Sequence, residues 1–238
     1  MDVRKADEVE ERARLGRHLA DLVSHDLRNP LAAIEMGTHL LQRGSLSPAQ
    51  RRVLDHIDSA NARAQRLVTD VADFIDCSFG DGLSVVRAPV ALHALVAERL
   101  ASLGAAAPDR VFEHDRIGEG ACIGDAQRLA QLVAHLVNNA LAYGAPDRPV
   151  IVASIVEPTA FSIVVHNDGA PVDEALRPAL FAPMVHGRAT ATGRSLGLGL
   201  YLVRQIARVH GGDAVLRSDA TGTTVTATFA RSDDDAAL

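Results

Sequence analysis

Two stretches of this 238-residue chain hold residue types able to move a phosphoryl group. The first is Ser24-His25-Asp26-Leu27-Arg28-Asn29-Pro30-Leu31, where an imidazole adjoins a carboxylate. A neutral imidazole has one nitrogen free to attack, and a carboxylate within reach of the other stabilises the charge that develops. The second is Gly197-Leu198-Gly199-Leu200, a flexible loop opening a helix, which can turn backbone N–H groups toward phosphate. Together they suggest phosphoryl transfer from a nucleotide to histidine.

The elements that must position these residues follow from periodicity. From Asp7 to Gln42, Leu15, Leu19, Val23, Leu27, Leu31, Ile34 and Leu41 share one helical face. His25 lies about 200° round from Val23 and therefore toward solvent. Pro30, just over a turn later, predicts a bend. Arg43-Gly44-Ser45-Leu46-Ser47-Pro48 reads as a stop and a restart, with Ser47 as N-cap and Pro48 in the first helical position. In the second helix Val53, Ile57, Ala60, Ala64, Leu67, Val71 and Phe74 form a heptad seam. A two-helix hairpin cannot bury both its apolar faces, so the pattern predicts a homodimer through residues 10 to 77, paired as a four-helix bundle.

The pattern lapses at Ser78-Phe79-Gly80-Asp81, the expected domain boundary. Strand-like runs follow at Leu83 to Arg87, Val111 to His114, Val150 to Ile155, Phe161 to His166, Asp213 to Arg217 and Thr223 to Phe229. They are interleaved with helical stretches at Ala91 to Leu103, Ala126 to Tyr143 and Leu198 to His210. The fold class is α+β: an N-terminal helical hairpin, then an α/β sandwich. The expected domains are 1–80, 81–230 and a disordered acidic tail at 231–238.

Composition narrows the function. A formal charge of -6 with scattered arginines argues against a nucleic-acid grip. No apolar run approaches the roughly 18 residues of a membrane span, and the start lacks a signal-peptide core, so the expectation is a cytoplasmic protein. Cys77 and Cys122 lack ligand spacing and receive no chemistry. His18, His39, His56, His93, His114, His186 and His210 read as surface or capping residues.

Three further constellations complete the picture. Gln131, His135, Asn138 and Asn139 stand among apolar residues of the middle helix. His166-Asn167-Asp168-Gly169-Ala170-Pro171 directly follows a strand, where a polar turn can present side chains. Thr221-Gly222-Thr223-Thr224 reads as a hairpin turn. Each alone has a bland explanation, as a polar helix edge or a plain turn. In this order and spacing the chain resembles a sensor histidine kinase of two-component systems, with a dimerisation and phosphoacceptor hairpin followed by a Bergerat-type ATP-binding domain of the histidine kinase, gyrase and chaperone ATPase type.

That resemblance, from about Leu15 to Phe229, implies roles. His25 is the phosphoacceptor, Asp26 orients it and takes its proton, and Asn29 matches a position associated with dephosphorylating the partner regulator. Asn139 resembles the Mg²⁺-binding asparagine; His135, Tyr143, Asn167, Gly169, Arg188, Gly197, Leu198, Gly199, Leu200 and Thr223 are implied to hold ATP. Phe181-Ala182-Pro183-Met184 is similar to the box anchoring an ATP lid that runs from about Met184 to Leu196, where Arg188 or Arg194 supplies a cation. Three positions depart from the family pattern: Asn167 replaces its usual aspartate, Pro171 its second glycine, and Ala142 a basic residue. The implied partners are a second copy of the chain, a response-regulator receiver domain docking near Asp21, Arg28 and Ala32, and a separate sensor or upstream input domain. Residues Ser78 to Gly82 are expected to act as a hinge. The alternative is a degenerate kinase serving as a dimeric phosphotransfer scaffold, separated from the first reading by ATP binding. A gyrase-like or chaperone-like ATPase is disfavoured by the His25 hairpin.

Overall fold

The computed structural model describes residues 26–185 and 196–231. His25, His18, Asp21 and the first half of the apolar stripe lie outside the described residues, as do His186, Arg188, Arg194 and the tail from Ser232. The chain divides into two compact units after Leu83.

In the first unit, helix α1 is described from 26 to 42 and continues unbroken across Pro30. Helix α2 spans Pro48–Phe79. Its start is as the sequence predicts. The Ser47 side chain accepts from the Gln50 N–H, the Gln50 side chain accepts from the Ser47 N–H, and Pro48 fills the first position, where its missing N–H costs nothing. The far end reaches Phe79, within the expected boundary stretch, and closes where the Gly80 N–H donates to the Asp76 carbonyl.

Helix α2 carries two seams rather than one. Leu54, Asn61, Val68, Ala72 and Ile75 are buried within the single chain. The predicted seam lies on the adjoining face, with Val53 and Ile57 exposed and Leu67, Val71 and Phe74 half-buried. On α1, Leu27, Ile34 and Leu41, seven residues apart, are likewise exposed. Asn61 Nδ2 donates to the Leu31 carbonyl at 3.0 Å, tying α2 to α1. Gln65 to Glu35 (2.9 Å) adds a polar tie at the surface.

The second unit holds β1 (Ala88–Val90), α3 (Leu92–Ala106), β2 (Phe112–Ile117), β3 (Cys122–Gly124), α4 (Ala126–Tyr143), β4 (Val150–Val156), β5 (Ala160–Asn167), a 3-10 turn at Arg177–Ala179, α5 (Gly199–Val209), β6 (Asp213–Asp219) and β7 (Gly222–Ala230). Five strands form a mixed sheet in the order β2-β4-β5-β7-β6, parallel only between β2 and β4. Helices α3, α4 and α5 cover one face. Strict alternation along β4 buries Val150, Val152, Ser154 and Val156 toward them, as period-2 side chains require. Phe161 and Phe229 stack at 4.6 Å in the same core, beside Leu132, Val133, Leu136 and Ile206.

One predicted strand is wrong. Residues Leu83 to Arg87 form no ladder, and the strand begins later, at Ala88, paired with a short β3 that the sequence did not reveal. The run's polar atoms are taken by side chains: Val86 N–H donates to Asp125 Oδ2 (2.8 Å) and the Ser84 carbonyl accepts from Arg128 Nε. Alternation alone cannot tell such a segment from a strand.

Among the histidines read as surface or capping residues, His210 is the C-cap residue of α5. His210 is buried; its Nδ1–H donates to the Ile206 carbonyl at 2.8 Å and its Nε2 accepts from the Asp125 N–H at 3.0 Å. That arrangement needs the neutral ring, and burial pushes its pKa down, with only partial opposition from the Ile206 carbonyl. His93 and His114 meet at the buried Ser154 hydroxyl, at 2.6 and 2.8 Å, pinning α3 to the sheet.

Candidate functional site

Helix α4 starts at Asp125, whose carboxylate accepts from the N–H groups of Gln127 and Arg128. Burial pushes this carboxyl up, but hydrogen bonds from the backbone of Val86, Arg128 and Gln127 outweigh it and hold the pKa low. With the N-terminus so fixed, Leu129, Leu132, Val133, Leu136, Val137 and Ala140 turn into the core. His135 and Asn139, four residues apart on the same side of the helix, are left half-buried.

Helix α5 begins beside this polar row. A side-chain carbon at Gly199 would lie 3.6 Å from His135 Nδ1, so the glycine brings the helix start close to α4. The N-cap residue Leu198 makes no side-chain cap hydrogen bond, and a helix start of this kind turns backbone N–H groups toward an anion. Leu198 anchors the turn in the core, while Leu200 is half-buried. Gly197 has φ +69, and a side chain there would strike the Met184 and Val185 backbone within 3 Å. The Met184 N–H donates to the Gly197 carbonyl at 3.0 Å, closing the base of the segment between them. Phe181, one turn earlier in the chain, lies under the Arg204 guanidinium at 5.3 Å.

The third component is the end of β5. Asn167 is buried on the helix-covered face, directly opposite Thr223 of β7. Its Nδ2 donates to the Asp168 carbonyl at 3.3 Å. That carbonyl also accepts from Ala145 N–H at 2.8 Å, tying the end of α4 to the end of β5. Gly144 and Gly169 pack against Asn167: a carbon added at Gly144 would lie 3.0 Å from its Cβ, and one added at Gly169 would lie 2.9 Å from the Tyr143 carbonyl. The Asp168 side chain points away, as alternation predicts. It pairs with Arg148 at 2.6 Å and with His166 at 3.3 Å, and both hold its pKa below the usual carboxylate range. His166 reaches on to Thr224 at 2.9 Å.

The α/β unit thus brings together His135, Gly199 and the start of α5 on one side, and Tyr143, Asn167, Gly169 and Thr223 on another. His25 and Arg188 lie outside the described residues; Asp26 and Asn29 are exposed on α1. Sequence reasoning missed Gly144, Ser218 and the Arg148–Asp168 pair. Gly144 had a signal, a glycine directly after an amphipathic helix; Ser218 had none, because its role depends on Val172, 46 residues away, as well as on Gly222 and Thr223 across the turn.

Known proteins resemble both parts of this chain. Residues 16–75 match the His Kinase A (phospho-acceptor) domain, and residues 124–233 match the histidine kinase-, DNA gyrase B- and HSP90-like ATPase domain. The chain is 31% identical over 201 residues to a bacteriophytochrome of Pseudomonas aeruginosa, covering 84% of this chain and 27% of that protein. It is 31% identical over 199 residues to the probable sensor histidine kinase TcrY of Mycobacterium tuberculosis, covering 82% and 42%. The chain therefore spans less than half the length of these relatives. Its fold is similar to that of full-length ShkA in complex with AMPPNP, with a TM-score of 0.67 and 20% identity, covering 90% of this chain and 46% of that one. With both domains present in this order, the chain belongs to the two-component sensor histidine kinases.

Proposed function

We propose that this chain is the transmitter of a longer or partnered signalling protein: an ATP-dependent protein-histidine kinase that phosphorylates His25 and passes the group to an aspartate of a response-regulator receiver domain. The observation that carries the reading is the joining, in one chain, of a phosphoacceptor domain enclosing His25, Asp26 and Asn29 with an ATPase domain enclosing Asn139, Asn167 and the Gly197 to Leu200 turn.

In this reading each residue has a physical task. Asn167 and Thr223 receive the base, and the start of α5 faces the phosphates. Asn139 is half-exposed and carries an amide oxygen, a hard donor that suits Mg²⁺. When bound, the ion neutralises charge on the phosphate oxygens. His25 attacks with one imidazole nitrogen while Asp26 accepts the proton from the other, and Asn29, about one turn on, positions water for dephosphorylating the regulator. A second copy of the chain covers the exposed seams of Leu27, Ile34, Leu41, Val53 and Ile57. No described helix is long and apolar enough to cross a membrane.

The test is incubation with γ-labelled ATP and Mg²⁺ beside His25→Gln and Asn139→Ala. Acid-labile label on the unaltered chain, lost in both variants, is the expected result. An unlabelled but folded dimer would transfer the assignment to the phosphotransfer scaffold.

A further inference from the structure

Among the described residues, Met184 is the one non-glycine position with a positive φ, at +61. A side chain disfavours that conformation, so it persists only where neighbours hold it. Met184 is not held by burial of its own side chain, which is 63% exposed. Its N–H donates to the Gly197 carbonyl at 3.0 Å, and the same backbone presses on Gly197, where an added carbon would lie 2.9 Å from the Met184 carbonyl carbon. Met184 is thus the floor of the turn that opens α5.

The residues that hold Met184 lie just before it. The Ala182 N–H donates to the Ala179 carbonyl at 2.8 Å and Pro183 fixes its own φ, so the stretch from Phe181 to Met184 is stiff. Its anchor is the Phe181 ring, with the Arg204 guanidinium over it, 5.3 Å from the centroid. Arg204 is itself locked: Nε and Nη2 donate to the two carboxylate oxygens of Asp213 at 2.7 and 2.9 Å. A second arginine, Arg208, stands 3.7 Å from the same carboxylate. One planar group therefore serves two neighbours at once, and a lysine ammonium, lacking the fork, cannot replace it.

We infer that Arg204, locked by Asp213, is a positioning residue for phosphoryl transfer: through Phe181 it fixes Met184 beneath Gly197 and so sets the backbone turn at the phosphate end of the nucleotide site. The inference rests on the nucleotide reading above. It adds a residue about one and a half turns beyond Gly199 that acts only through its protein neighbours.

The first arm of the test needs no nucleotide. Hydrogen exchange of the whole chain, followed by NMR, reads the Met184 N–H directly: Arg204→Met and Phe181→Leu should each speed its exchange by about tenfold or more, while the amides of β4 and β5 stay as slow as before. Phe181→Tyr, which keeps the ring, should leave it protected. The second arm measures autophosphorylation at varied ATP with Mg²⁺. Arg204→Lys and Phe181→Leu should each raise KM for ATP about fivefold and leave kcat within about twofold, and the double variant should be no worse than the poorer single, because the two side chains act as one unit. Unchanged exchange at Met184 in Arg204→Met, an unchanged KM in Arg204→Lys, or losses that multiply in the double variant would each overturn the inference alone. An unaltered chain that takes no label would overturn the kinase reading, and this inference with it.

Discussion

The two units solve the same burial problem differently. In the α/β unit, Leu132, Val133, Ile163, Ile206 and Phe229 are all 0% exposed, so one chain supplies a finished core. In the hairpin, Ile34 is 44% exposed, Leu41 57%, Val53 57% and Met36 67%. An exposed apolar stripe at heptad spacing on both helices marks a surface made for another helix pair. A sheet with helices on one face can close on itself, whereas two helices cannot surround a core. One unit closes its own core, and the other, in the function proposed above, is half of an assembly.

The largest effect should come from breaking the finished core. Leu132→Ala leaves a cavity where nothing can relax freely, and should cost about 2–5 kcal/mol. Thermal unfolding of this variant should shift equally at every protein concentration. Next comes the unfinished surface: Ile34→Asp with Ile57→Asp should turn dimers into monomers by light scattering while leaving the melting of the α/β unit in place. If that double variant still dimerises, the seams are not the interface and the contrast between the units fails.

A smaller effect tests local encoding in the hairpin. Ser47→Ala removes one half of a reciprocal cap and should cost about 1 kcal/mol, visible as earlier loss of helical signal from the hairpin alone. The gentlest test is pH. Burial lowers the pKa of His210 below its usual 6.5, with Arg87 and Arg128 adding to the effect and the Ile206 carbonyl and Asp125 opposing it. The unfolded chain therefore takes up the proton first as pH falls. This part of the stability is complete above pH 6.5 and drains away as pH drops toward the lowered folded-state value. Melting of the α/β unit should decline on that acid slope, less steeply in His210→Asn; an equal slope in both would remove His210 from the account.

Much of this was legible in the residues. The capped restart at Ser47-Pro48, the α4 boundaries and the central strands β4, β5 and β7 follow from local chemistry, because caps, period-3.6 stripes and period-2 alternation act within a few residues. The motif residues His135, Asn139, Asn167 and Gly199 could be named because they lie in short runs of fixed spacing.

Other properties depended on segments distant in the chain. The run from Leu83 to Arg87 alternates like a strand, yet Asp125 and Arg128 take its polar atoms. His210, read as a surface or capping residue, is the C-cap of α5, and its burial follows from tertiary packing, in which the Asp125 N–H arrives from 85 residues away to use its ring nitrogen. The second seam of α2 emerged only when α1 packed against the first. The surroundings of Asn167 and Thr223 are the clearest case. Residue types show that Asn167 and Thr223 can each donate or accept. Only the folded arrangement sets the Asp168 carbonyl against Asn167 and the Ser218 hydroxyl against Thr223, because those neighbours are fixed by strand pairing and turn geometry and not by residue type.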